Sequence, residues 1–483
     1  MNIKSRLIIP LLALVAMHFA LAPAAAQAPP DLLPTTRAAE GLAGSWSGAI
    51  KLPTGQELTF AARFEREGER WTGRMDIPMQ GARDLPLEEI SFGEDRRVRF
   101  AIAGIPGNPA FDGVLQKGDT VIGTFSQGGA SMSFEMKRGE LAAPNRPQEP
   151  KPPFPYASRD VTFDSLAEGV TLAGTITIPE GEGPFPGVIL VSGSGPQDRN
   201  EELFGHKPFL VLADSLTRAG IAVLRYDDRG VGASTGDLSG ATTADLSRDA
   251  EAALRYLREQ PEVRDNAVGI VGHSEGGLIA PLVAARSEEV SFIVLMAGPG
   301  VPGDQVLIRQ IREGAEAEGM PVEAAKAVSD AVTTLVEAVK SGAEESEIRA
   351  ALEAMLRIQL GAGPDAPVPA EAIDGMYQTF AGPWFRHFLS YDPAEALGKV
   401  NVPVLVLQGE LDRQVNAQVN TEAIREALAH NDDVRIEILD GLNHLFQPAT
   451  TGAGSEYATI ETTIDERVPQ IIAEWVKEQS AGD

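Results

Sequence analysis

From about residue 159 onward the chain alternates between two kinds of segment, and this alternation restricts its fold more than any other feature. Short, almost continuously apolar runs occur at GVILVSG (187–193), IAVLRY (221–226), AVGIVG (267–272), SFIVLMAG (291–298), VPVLVLQG (402–409) and VRIEILDG (434–441). Stretches of helical period separate or follow them, near 208–219, 245–259, after 274, near 419–430 and near 464–477. A strand buried on both faces reads as unbroken Val, Ile and Leu because neither side meets water. Strand–helix alternation lays successive strands parallel, with helices on both faces of the sheet. The expected fold class is therefore α/β, with a doubly wound, mostly parallel sheet over 159–483. Between 302 and 392 the pattern lapses into Ala- and Glu-rich helical periods with no strand, which predicts a helical cap inserted over the sheet's active edge.

The region before the sheet reads differently. Over 41–139, seven short runs such as LTFAARFE, RVRFAIAG and DTVIGTFSQ show partial alternation between Gly, Asp and Pro turns. They predict a small all-β barrel or sandwich. No catalytic constellation lies in it, so a packing domain is favoured over a ligand-binding one. A Pro-rich linker, extended and semi-rigid, is expected at 140–158. At the start, Lys4 and Arg6 precede an apolar run over 7–22 and the small-residue stretch APAAAQA. That is the pattern of a secretory signal over 1–26, cut after Ala26. The run is short of the ~20 apolar residues of a membrane span, and His18 interrupts it. A periplasmic or secreted protein without stable membrane insertion is expected. The net charge of −28 would repel nucleic acid and anionic membranes alike. With no cysteine, the chain has no disulfide, thiolate metal site or cysteine nucleophile.

The stretch GIVGHSEGGLIA (269–280) places Ser274 between glycines, after an apolar strand and before a helix. That context defines a nucleophile elbow, whose glycines allow a sharp turn and close backbone approach. The same five-residue pattern recurs at GASTG (232–236), but no strand or helix adjoins it, so Ser234 reads as a loop residue. A serine hydroxyl needs a base. Of the six histidines, His18 leaves with the signal and His273 adjoins the serine. His206 precedes it, His387 lies in the cap and His430 closes a polar helix. Only His444, in the loop after the last strand, satisfies the order serine, acid, histidine together with loop placement. Glu410 and Asp412 both follow the strand before it, and Asp412 is favoured as the acid that orients the imidazole. An oxyanion hole needs two N–H donors. The backbone of Glu275 is the first candidate, and that of Ser194, in the Gly-rich loop VSGSGPQDRNE, is the second.

Several stretches together carry a family resemblance: SGSGPQDRNE, YDDRGVGAST, GHSEGG, PWFRHFLSYDPAEAL, PVLVLQGELDRQV and NHLFQ. Over 159–483 the chain resembles bacterial α/β-hydrolase-fold serine esterases with a helical cap and an N-terminal β extension. The resemblance implies hydrolysis of small-molecule carboxylic esters with short acyl chains, with no cofactor. Family members usually open the oxyanion loop with His-Gly, where this chain has Ser192 and Gly193. The superfamily also includes aminopeptidase-like enzymes, thioesterases and acyltransferases. A peptidase of the same fold stays open, with Glu275 available to hold a substrate amine, as does a binding protein on a degenerate scaffold. No His-Glu-x-x-His or paired-histidine spacing suggests a metal site. The aromatic cluster PWFRHF offers Trp384, Phe385 and Phe388 either as acyl-pocket lining or as core between cap helices.

Overall fold

In a computed structural model of the protein, residues 41–481 are described apart from 52–56, 79–81, 106–107, 118, 128–129, 142–144, 360–367 and 369. The signal read at 1–26 lies outside the described residues.

The N-terminal region forms eight strands: β1 (Gly44–Lys51), β2 (Glu57–Glu67), β3 (Arg70–Ile77), β4 (Ala82–Phe92), β5 (Arg97–Ile102), β6 (Ala110–Leu115), β7 (Thr120–Gln127) and β8 (Ala130–Arg138). Each pairs antiparallel with the next, and β8 pairs with β1, so the sheet closes into a barrel with no exposed edge. The period of two sorts the side chains. Along β2, Phe60, Ala62 and Phe64 are buried while Arg63 and Glu65 are exposed. Phe111 sits near the centre of the core, its ring 4.5 Å from Phe100 and 5.0 Å from Phe134. Seven of these strands coincide with the runs expected from sequence, and β4 is the addition. Asp84 and Glu89 take left-handed φ values of 54° and 53°, and the pairing register shifts between Glu88 and Ser91. Such bulges break the alternation by which a strand is read.

The second sheet is built from β9 (Ala157–Asp164), β10 (Thr171–Ile178), β11 (Phe185–Val191), α1 (Pro208–Arg218), β12 (Ala222–Tyr226), α2 (Thr243–Arg258), β13 (Val263–His273), α3 (Gly276–Ala284) and β14 (Ile293–Met296). Five helices follow: α4 (Gly303–Ala317), α5 (Val322–Ser341), α6 (Glu345–Gln359), α7 (Ala370–Phe380) and α8 (Pro383–Ser390). The sheet resumes through α9 (Ala394–Leu397), β15 (Val404–Gly409), α10 (Ala417–Ala427), β16 (Val434–Leu439) and α11 (Arg467–Ser480). The strand order is β16-β15-β14-β13-β11-β12-β10-β9, in which β10 runs antiparallel to both its neighbours, β12 and β9, and every other pair is parallel. Helices cover both faces. Leu254 of α2, Val283 of α3 and Ile424 of α10 share one core, and Leu212 of α1 and Ile472 of α11 share the other.

Two units divide the described chain. One holds the barrel strands with the described parts of Leu356–Met376, and the other holds Arg146–Met355 and the chain from Tyr377. From Arg146 onward the Pro-rich stretch belongs to the second unit. The Arg146 guanidinium donates to the carbonyls of Phe204, Gly205, Ala458 and Ile460, which straps this stretch to the second unit. Among the described residues no helix is long and apolar enough to cross a membrane.

Candidate active site

Because β11, β13, β14, β15 and β16 run parallel, the loops after them open at one edge of the sheet, where α/β folds place their ligands. Ser274 directly follows β13. Its φ is 53°, a left-handed value that a serine adopts only at a cost, and its N–H donates to the Met296 carbonyl at 2.8 Å. The flanking glycines are required by space. A Cβ on Gly272 would sit 2.0 Å from the Gly276 carbonyl oxygen, and one on Gly276 would sit 2.2 Å from that of Val191. Ser234 has a different environment: its Oγ donates to the Asp227 carbonyl at 2.7 Å and accepts the Ala173 N–H at 2.9 Å.

His444 lies in the loop after β16, with Nδ1 2.8 Å from Asp412 Oδ2. Asp412 follows β15 and is 1% exposed. Its Oδ1 accepts the N–H groups of Gln414 and Val415, each at 2.8 Å. An ionised carboxylate only accepts, so the His444 ring proton belongs on Nδ1 and the Nε2 lone pair is left to act as a base. Glu410 is exposed, and its Oε2 accepts the Gly441 N–H at 2.9 Å. The structure thus joins Asp412 and His444. Among the described residues the Ser274 hydroxyl makes no hydrogen bond.

The other described histidines are engaged elsewhere. His206 is buried between Thr463 Oγ1 and the Tyr457 carbonyl, each at 3.0 Å, and burial with the nearby Arg146 holds it down to about 4. His430 lies 3.0 Å from the Val400 carbonyl. His387, on α8, stacks on Tyr391 at 5.5 Å. His273 is in contact with Glu201 and the His444 carbonyl.

Among the described residues, neither the Glu275 N–H nor the Ser194 N–H is spent on a protein acceptor. The Gly193 N–H is taken by Glu201 Oε1 at 2.8 Å, which removes it from the donors available to a substrate. A Cβ on Gly193 would come within 3.2 Å of Ser274 Cβ, so this loop lies against the serine. Two of the motifs turn out to be halves of one hydrogen-bonded structure. Asp227 accepts the Arg199 N–H at 2.8 Å and its guanidinium at 2.7 Å, while Asp228 accepts the Gln197 N–H at 2.9 Å. Burial alone would raise the Asp227 carboxyl, but the Arg199 contacts outweigh it and hold the group below its ordinary value.

The Glu275 side chain is buried under α8. Its Oε1 accepts the Thr243 hydroxyl at 2.6 Å and the Trp384 indole N–H at 2.8 Å, and burial pushes the carboxyl up. Trp384 stacks on Phe388 at 5.1 Å, and both rings are half-buried. Phe385 is buried and packs 4.4 Å from Phe380, as a core residue between helices. Glu201, His273 and Thr243 belong to no catalytic pattern in the sequence. The only signal for Glu201 was its place at the end of SGSGPQDRNE.

A profile of the "Alpha/beta hydrolase family" matches residues 188–451. Esterase EstD of Thermotoga maritima is 28% identical over 328 residues, covering 67% of this chain and 68% of that protein. An uncharacterized 31.7 kDa protein of Escherichia coli is 24% identical over 323 residues, covering 66% of this chain and 98% of its own. Among solved structures, the Pyrococcus furiosus esterase Pf2001 is 17% identical with a TM-score of 0.40, over 67% of this chain and 93% of that one.

Proposed function

This chain belongs to the alpha/beta hydrolase family, whose profile spans more than half of it, and on that premise we propose that it hydrolyses small carboxylic esters through an acyl-enzyme formed on Ser274. The observation that carries this reading is the placement, in loops at one sheet edge, of a left-handed Ser274 and of a His444 whose Nδ1 lies 2.8 Å from Asp412 Oδ2. The resemblance to Esterase EstD supports the ester over the amide.

In this reading His444 Nε2 takes the Ser274 proton as Oγ bonds to the ester carbonyl carbon. The carbonyl oxygen becomes an oxyanion facing the N–H groups of Glu275 and Ser194, each worth roughly 3 kcal/mol to such an intermediate. The C–O bond breaks, and the alcohol leaves with the proton from His444. Water then adds to the acyl carbon, losing its proton to the same nitrogen, and the acid departs as Ser274 recovers its hydrogen. Asp412 stays ionised throughout and stabilises the imidazolium.

The test is labelling of the full chain with a fluorophosphonate, with peptide mapping, beside turnover of p-nitrophenyl esters of graded length and of amino-acid anilides. Label on Ser274 and turnover of short esters is the expected result. Label on Ser234, or none, removes the assignment, and faster anilide turnover makes the protein a peptidase. We also propose export, on the strength of the charged and apolar residues at 1–26. A mature chain whose N-terminus is still Met1 in the producing cell would refute that.

A further inference from the structure

We propose that Glu201 and His273 form a buried positioning pair that locks the loop bearing His444 to the oxyanion loop after β11. The inference rests on the reading of Ser274, Asp412 and His444 given above, and adds to it the groups that hold the base in place.

Glu201 is 1% exposed and His273 4% exposed. A single oxygen, Glu201 Oε1, accepts the Gly193 N–H at 2.8 Å and meets His273 Nδ1 at 2.8 Å. The other ring nitrogen, Nε2, lies 3.0 Å from the His444 carbonyl oxygen. Both nitrogens of His273 therefore face acceptors. A neutral imidazole has one N–H and one lone pair, and here the lone pair would point at an oxygen. The arrangement is satisfied when the ring carries both protons, an imidazolium against a carboxylate. The electrostatics agree in direction. Burial alone would lower the ring, but the Glu201 charge and bond, the His444 carbonyl and the Asp412 charge together raise it above the ordinary histidine value.

The surroundings leave few other partners. The charged groups facing the ring are Glu201 from the loop after β11 and Asp412 from the loop after β15. The His444 ring lies 4.9 Å away and the Phe446 ring 6.4 Å away. Phe209, Leu212 and Met296 line the same small, mostly apolar cavity. One carboxylate thus ties together three parts of the site: the loop that presents the Ser194 N–H, the residue before the nucleophile, and the backbone of the base. Reacting groups misplaced by about 1 Å can lose two orders of magnitude in rate, so such a tether bears on kcat although neither residue touches substrate.

Glutamine at 201 cannot reproduce the set. If its oxygen took the Oε1 position, it would accept from Gly193 and His273 but supply no charge to keep the second ring proton. If its NH2 took that position, it would oppose the Gly193 N–H. The sign of the pH effect follows from the raised ring. The tether is present at lower pH and is lost as pH rises through the raised value, so the loss appears as an alkaline limb.

Two measurements test this. In the wild-type full chain with 15N-labelled histidine, His273, identified by loss of its signals in His273→Gln, should show both ring nitrogens protonated at neutral pH. A neutral His273 overturns the proposal. In Glu201→Gln, kcat should fall roughly ten- to a hundredfold, while KM stays within about twofold because no substrate contact is lost. The alkaline limb should also move about one pH unit or more toward neutrality as the carboxylate's hold on the ring proton disappears. An unchanged kcat with an unmoved limb overturns the proposal, and the wild-type spectrum decides if the variant does not fold. Fluorophosphonate labelling separates the two readings. A wild type unlabelled at Ser274 refutes the triad, whereas one labelled there with a neutral His273 refutes the pair alone.

Discussion

Two serines of this chain share one five-residue pattern, and their surroundings give them different expected losses. Ser234→Ala removes a donor to the Asp227 carbonyl and the acceptor of the Ala173 N–H, both buried. It should cost about 1–3 kcal/mol of stability and leave kcat per folded molecule near wild type. Urea denaturation with active-site titration checks this, and an intact midpoint would contradict it. Asp412→Asn should lower kcat by roughly 10⁴, as the amide no longer fixes the ring proton on Nδ1. Glu410→Gln should stay near wild type, since Glu410 is exposed and bonds only the Gly441 N–H. The reverse ranking would move the acid to Glu410. Of the proposed triad, Ser274 carries a local signature in its glycines, and Asp412 and His444 carry one in their order and in following a strand. Glu201 and His273 carry none, because the two stand 72 positions apart and no spacing encodes a hydrogen bond across that interval.

Among the elements, α8 makes the most informative contact. Its Trp384 both stacks on Phe388 and bonds the carboxylate of the residue after the nucleophile. Two substitutions separate these roles. Trp384→Phe keeps a ring but removes the indole N–H from Glu275, and should lower kcat about tenfold on every ester alike. Trp384→Ala also removes the wall, and should change the ranking among acyl lengths if that ring lines the pocket. kcat/KM across the p-nitrophenyl series is the measurement: equal losses at all lengths in Trp384→Ala would remove the ring from the acyl pocket, and a Trp384→Phe variant as active as wild type would remove the role of the indole N–H. Legibility also varied by element. The buried strands β11 to β15 were plain, since a short, continuous run of Val, Ile and Leu between turn residues suits a strand covered on both faces. The edge strand β9, ASRDVTFD, was missed because nearly all of it is exposed and polar, and β10, TLAGTITI, because Thr, Ala and Gly dilute its apolar run. Its Gly174 has a reason in space: a Cβ there would come 2.7 Å from the Arg225 carbonyl oxygen.

At the scale of the whole molecule, the barrel core shares no residue with the two cores of the larger sheet, whereas those two lie on opposite faces of the same strands, Ile189 of β11 facing one and Val188 and Leu190 the other. Cooperative unfolding follows shared packing, so cores built on separate sets of strands can melt separately. The proposed triad and its positioning pair all lie in the second unit. A defect in the barrel core should therefore appear as lost stability in one transition, without lost chemistry. Phe111→Ala is the sharpest probe, because its ring contacts those of Phe60, Phe100, Phe125 and Phe134 at 4.5–5.4 Å. Truncating a buried phenylalanine costs about 3–5 kcal/mol, which in a unit near 100 residues lowers its midpoint by more than about ten degrees. Calorimetry of the full chain should show two transitions, with one displaced in the variant and the other unmoved. Ester hydrolysis well below the displaced midpoint should match wild type. A single transition that moves as a whole would show that the cores unfold together. Lost hydrolysis with the second transition intact would show that the barrel contributes to the active site, and the division of labour argued from the residue positions would be wrong.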